Sequence, residues 1–346
     1  MKKLTILLSV SLCSFWGYSQ TISDAVRYTN QNITGTARYQ GVSGAFGALG
    51  GDLSALNNNP ASSAIFLNSY ASVTAAVDFY DNNTNYFNGL SSSNESDLNF
   101  NQAGGVFILN NNQESSGFKK LAFSFNYDRT ANFDNSFLAR GTTSTSIDSY
   151  FLNSAQGVPL DLLQTQDNES ISDLYQYLGE NESYSSQQAF LGYQGFIIDP
   201  VEDTSNNTDY TSNLSSGNFD QDYSSVSTGY SGKASFNVAT QYGKKLYLGL
   251  NLNSHFIDYR QTTVLFEDNS NAGSDVNSIR FENYLSTLGN GFSFQLGGIL
   301  AATPSLRLGL TYDSPTWYNI KEETTQSLRT EGTNGSTNVS PIVVNI

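Results

Sequence analysis

Residues 244–253, "KKLYLGLNLN", alternate without a break. Leu246, Leu248, Leu250 and Leu252 fall on one face of an extended chain, and Tyr247, Gly249, Asn251 and Asn253 on the other. A period of two marks a β-strand with one apolar and one polar face. "KASFNVATQY" (233–242), "KKLAFSFNYD" (119–128), "GFSFQLGGIL" (291–300) and "SLRLGLTY" (305–312) read the same way. Such strands fit either a half-buried soluble sheet or a barrel whose apolar face meets lipid. The second face decides between them. It carries Asn, Ser, Gln, Gly and Thr rather than Lys and Glu, as a wet lumen requires, so the expected fold is an all-β, antiparallel transmembrane β-barrel.

Composition agrees. Aromatics reach 13% and charged residues only 14%, where a soluble domain has about a quarter of the latter. The first twenty residues, "MKKLTILLSVSLCSFWGYSQ", join two lysines, an apolar run and a small-residue exit. That is the pattern of a secretory signal peptide, with cleavage expected beside Ser19 or Gln20. A lipoprotein would use Cys13, but Leu12 stands where a small residue is needed. Cys13 is the only cysteine, so no disulfide framework is expected after export. Without Lys2 and Lys3 the chain keeps 14 Lys and Arg against 31 Asp and Glu, a net −17, which excludes nucleic acid as a partner.

Seven long strands are expected, near 68–80, 101–110, 119–140, 229–243, 244–266, 278–303 and 304–330. Their connections alternate between long or polar (81–100, 141–228, 267–277) and short (110–120, "YGKK", "ATPS"). Bacterial barrels have short periplasmic turns and longer outer loops, so strand one should rise from the periplasm. Residues 141–230 carry 13 acidic residues and no Lys, Arg or His. The expectation there is a weakly structured, solvated external loop at 141–228, or else a cap that captures a cation or a substrate. The apolar "QQAFLGYQGFIIDP" (187–200) inside it reads as a short helix or a segment folded over the mouth. An odd count of seven leaves the sheet open, so the chain is expected to be about half of a longer barrel, unless a weak eighth strand hides in 331–346.

Before the first strand lies "GVSGAFGALGGDLSALNNNPASSAIF" (41–66), with glycines at 41, 44, 47 and 50. Asp52 is placed to cap a short helix, and Pro60 to turn the chain. This stretch resembles the N-terminal hatch of the FadL/TodX family of outer-membrane transporters for hydrophobic compounds. The resemblance rests on Gly41, Gly44, Gly47, Gly50 and Asp52, and on the motif Asn59, Pro60, Ala61. "LRLGLTYDSPTWY" (306–318) is similar to a strand of that family through Gly309, Tyr312, Ser314 and Pro315. The resemblance implies a hatch over 21–67, a wall over 68–346 and a fourteen-stranded barrel of which this chain supplies about seven strands. It also implies passive uptake of long-chain fatty acids or aromatic hydrocarbons, with Asn59-Pro60-Ala61 as the hinge to the wall. The partners are then a hydrophobic small molecule, outer-membrane lipid and the barrel-assembly machinery, and the location the outer membrane of a Gram-negative bacterium.

No enzyme, cofactor or metal is implied. The glycine run lacks the Gly-Lys-Ser/Thr ending of a phosphate loop. His255, the only histidine, has no cysteine partner for a metal or haem site and no recognisable nucleophile motif for a hydrolase. Glu322–Glu323 read as solvated charge at a loop rim. A structural or adhesive barrel acting through its acidic loop is the alternative function.

Overall fold

The computed structural model describes residues 22–29, 32–113, 116–333 and 335–345; the signal peptide expected at 1–20 lies outside them. Ten strands form one antiparallel wall: β1 (Tyr70–Tyr86), β2 (Gly89–Asn110), β3 (Phe118–Asn132), β4 (Asn135–Thr143), β7 (Phe219–Tyr242), β8 (Leu246–Asp268), β9 (Val276–Thr303), β10 (Leu306–Asp313), β11 (Trp317–Gly332) and β12 (Gly335–Asn345). The strands β5 (Ile198–Pro200) and β6 (Tyr210–Ser212) make a separate ribbon. The main order is β1-β2-β3-β7-β8-β9-β11-β12, with β4 also on β7 and β10 also on β9. This gives eight positions, and no pairing joins β1 to β12 among the described residues.

The two faces are inverted relative to a soluble sandwich. Leu252 is 43% exposed whereas Asn251 is fully buried, and Phe125 is 59% exposed beside a buried Asn126. Phe236, Phe292 and Leu296 also point out while Asn237, Ser293 and Gln295 point in. An outward apolar face on long antiparallel strands is the arrangement of an outer-membrane barrel wall.

Several boundaries differ from the expectation. Residues 81–100 are strand rather than loop, because β1 and β2 run on as one hairpin to a two-residue turn at Phe87–Asn88. Asn and Ser depress strand propensity, but cross-strand pairing outweighs it. The expected strand 119–140 breaks at Phe133–Asp134, and the expected strand 304–330 breaks at Ser314–Thr316. The weak eighth strand exists as β12.

The acidic segment is not a loose loop. Between β4 and β7 it folds into helices α3 (Asp148–Ala155), α4 (Ile171–Asn181) and α5 (Tyr184–Gln194) with the β5–β6 ribbon. Two further helices, α1 (Ile22–Thr29) and α2 (Ala37–Gly41), precede the wall. Phe151, Phe190, Leu191, Ile197 and Ile198 are buried in the cap together with Ile279 and Leu328 of the wall. Glu267 of β8 fixes the cap's entry, accepting hydrogen bonds from Ser146, from the Ile147 amide (2.9 Å) and from Gln221 (2.6 Å). Thr330 Oγ1 donates to the Gly195 carbonyl (2.8 Å), and Gln188 to Gln326 (2.9 Å). Buried apolar residues dispersed from Ile147 to Leu214, unremarkable in sequence, converge on the wall and share its apolar burial.

Candidate functional site: the hatch, its seat and the chamber above it

The segment before β1, called the hatch here after the resemblance in its sequence, ends in two 3₁₀ turns, Leu53–Asn57 and Pro60–Ile65. Asp52 caps the first, accepting from the Ser54 amide (3.0 Å) and from Thr36 Oγ1 (2.8 Å). Asn59, in extended backbone, caps the second through the Ala61 amide (3.0 Å). Pro60 takes the first position of that turn, where its missing N–H costs nothing. It therefore starts a second turn rather than leading directly into β1. Leu53, Leu56, Ala64 and Phe66 pack with Val106, Ile108, Ala122 and Ala239 of the wall.

Each 3₁₀ turn leaves carbonyls without partners, and the inward side chains of the wall supply them. Asn251 donates to Leu56 O (2.9 Å), Gln295 to Asn57 O (3.1 Å), Thr311 to Asn58 O (2.8 Å) and Asn237 to Pro60 O (2.9 Å). Lys120 Nζ serves both Ala64 O (3.1 Å) and Phe66 O (2.5 Å). The alternation showed a polar lumen face but gave no sign that its amides bind the hatch backbone. Those contacts span long separations that no local pattern encodes.

The hatch glycines divide by role. Gly44 and Gly50 adopt positive φ (72° and 63°), a conformation that disfavours side chains. Gly41 and Gly47 have open space where a Cβ would stand. Close approach comes from the wall instead: Gly249, Gly297 and Gly309 each face hatch atoms within 3.0 Å of where their Cβ would be. Gly309 meets Gly47 in this way. Tyr312 points outward and packs near Phe294 at 6.1 Å between ring centroids. Ser314 exchanges hydrogen bonds with Phe294, its amide donating to the carbonyl (3.0 Å) and its Oγ accepting from the amide (2.9 Å). With Pro315 it marks the β10–β11 break.

Above the hatch lies a chamber of about 360 Å³ whose lining includes Asn57, Arg129, Lys233, Asn253, His255 and Asp313. Its walls are polar. His255 sits 2.8 Å from Ser293 Oγ through Nε2 and edge-on to Tyr318. No cluster of three metal-ligating side chains occurs among the described residues. Helix α1 docks on the same inner face: Tyr28 donates to Glu322, and the Arg27 guanidinium lies 4.2 Å from the Tyr259 ring centroid. Burial, then the Glu322 carboxylate, push the Tyr28 phenol up to about 12. Glu322 is thus a docking group and not a free rim charge.

The wall has a seam where the backbone ladder gives way to side-chain bonds. β2 pairs with β3 only from Gln102 to Asn110 and β4 pairs only with β7, while Asn82 and Ser93 of the β1–β2 hairpin donate to the Ser136 carbonyl of β4 (2.7 and 2.6 Å) and Thr84 to that of Leu138. A second cavity of about 390 Å³ opens there, lined by Leu98, Phe100, Tyr127, Arg129, Asp134 and Tyr230 among others. Asp134 holds the β3–β4 break, accepting from the Gly229 amide (3.0 Å) and pairing with Arg129 (3.5 Å). Arg129 lines both cavities.

A family model described as "Pom: Protochlamydia outer membrane protein" matches residues 184–342, from α5 through most of β12. No curated protein matches the chain. A solved structure of a multiply substituted Rh. blastica porin aligns at 9% identity, over 80% of this chain and 100% of that one, with a TM-score of 0.10. A likeness that weak carries no argument. The outward apolar face and the family match support an outer-membrane β-barrel protein, without singling out the transporter family that the hatch sequence resembles.

Proposed function

We propose that the protein is a passive outer-membrane carrier for amphipathic hydrophobic molecules, long-chain fatty acids above all. The ligand enters the chamber over the hatch and leaves sideways into the membrane through the β2–β3/β4 seam. The observation that carries this reading is the position of Arg129, which lines both the chamber and the seam. A wall without a seam keeps its cargo in the lumen, whereas this one offers a cavity in which Leu98, Phe100, Tyr127 and Tyr230 stand beside Arg129 and Asp134. The polar chamber favours a ligand with a polar head over an aromatic hydrocarbon. Burial of its tail supplies the driving force, about 25 cal/mol per Å², and no covalent step is required. Outer-membrane lipid is the receiving phase, and the barrel-assembly machinery inserts the wall.

The test is uptake of a labelled long-chain fatty acid by cells lacking their own transporter, with and without this gene. Saturable, gene-dependent uptake supports the proposal, and equal uptake in both strains rejects it. A structural or adhesive role is the second reading, favoured by the cap's own apolar core. Deleting residues 148–212 would then abolish surface adhesion while substitutions at the seam leave it intact.

A further inference from the structure

Gly249 and Gly297 are register partners on β8 and β9. A Cβ on Gly249 would fall within 3.0 Å of the Pro60 carbonyl and the Ala61 amide, and one on Gly297 within 3.0 Å of Asn59 Oδ1 and the Pro60 ring. The two glycines thus form a notch one peptide wide. Asn59-Pro60-Ala61 fills it, while Asn237 and Gln295 bond the carbonyls of Pro60 and Asn57 beside it. Gly298, the next residue on β9, faces the opposite way, and its Cβ would meet nothing nearer than 3.7 Å.

We infer that Gly249 and Gly297 are positioning residues that clamp the Asn59-Pro60-Ala61 corner to the wall, so that any opening of the hatch takes place N-terminal to Asp52. The corner is then an anchor and not the hinge. Residues 53–66 carry the wall bonds from Asn237, Asn251, Gln295, Thr311 and Lys120. The segment before them is longer yet has fewer wall bonds: Tyr28 to Glu322, the Asn32 amide to Thr130 O (2.8 Å), Thr34 to Arg129 O and Arg307 to Leu49 O (3.0 Å), beside the close approach of Gly47 to Gly309. Between the two lie Gly50 and Gly51, both at positive φ, a pair able to absorb a large backbone rotation. The clamp deepens the carrier reading by fixing which part of the hatch moves, and its test does not depend on transport.

The experiment is hydrogen exchange on the full-length protein in lipid vesicles, comparing the parent with graded substitutions at three positions. Gly249→Ala, Gly249→Val, Gly297→Ala and Gly297→Val should speed exchange of the amides in 53–65 by tenfold or more, rising with side-chain size. Exchange in β8 and β9 should stay at the parent rate. Gly298→Val should match the parent, and in the parent itself residues 36–49 should exchange faster than 53–65. Parent-like protection of 53–65 in the Gly249 and Gly297 variants would overturn the clamp, as would uniform exchange across the parent hatch. If the valine variants fail to insert, the alanine variants decide by the same criterion. Fatty-acid uptake is measured separately, so a protein that transports nothing can still show the clamp.

Discussion

One Asn59 amide nitrogen joins the hatch to the wall: Nδ2 lies 3.1 Å from the Gly298 carbonyl oxygen and 2.9 Å from that of Gly47. The same side chain caps the following turn through its oxygen. All three bonds lie at a fully buried residue, so truncation both removes a cap and strands two carbonyls. Asn59→Ala should therefore destabilise hatch seating by about 2–4 kcal/mol. Asn59→Asp keeps the cap but sets a carboxylate against the two carbonyls and should be at least as damaging. Hatch amide exchange in the inserted protein measures both; an Asn59→Asp variant with parent protection would show that the donor bonds contribute nothing.

The dock of α1 can be read by titration. Tyr28 keeps its proton up to about 12, with burial the larger cause and Glu322 the second. The folded value lies above the unfolded one near 10, so this contact loses stability as pH rises from about 10 through 12. Glu322→Ala should move one late-titrating tyrosine down toward 10 in the ultraviolet tyrosinate spectrum. An unchanged titration curve would place Tyr28 elsewhere.

The cap should be separable from the wall. Phe190 is fully buried in the cluster that joins the cap to Leu328 and Ile279, and Phe190→Ala should cost about 3–5 kcal/mol there. Limited proteolysis should then cut within 144–218 while the strands stay protected. Loss of wall insertion in this variant would mean that cap and wall fold as one unit.

At the seam, Asp134→Ala removes both the Gly229 bond and the Arg129 partner. If the exit depends on the β3–β4 break, fatty-acid uptake should fall about tenfold, the equivalent of ~1.4 kcal/mol. Asp222→Ala breaks only the exposed Arg140 pair and should leave uptake within about twofold. Equal effects from the two would remove Asp134 from the route.

Much of this molecule was legible in the residues alone. Strict alternation in 119–128, 233–242, 244–253 and 291–300 specified strands, and the amide-rich second face specified which side would be wet. Asp52 announced the first turn, because capping is a local interaction between neighbours, whereas the second turn, capped by Asn59, showed in the sequence only as a corner into strand one. What lay beyond the sequence was every decision made across the fold. The Asn- and Ser-rich stretch 81–100 resembled a loop until pairing in the β1–β2 hairpin made it strand. The acidic segment resembled a solvated external loop until Phe151, Phe190 and Ile197 met Leu328. Asn251 and Leu56 are 195 residues apart, and no periodicity can show that the amide of one satisfies the carbonyl of the other. The glycines divided in the same way: Gly50 reports its own backbone, whereas Gly249 and Gly297 are explained only by the peptide seated on them.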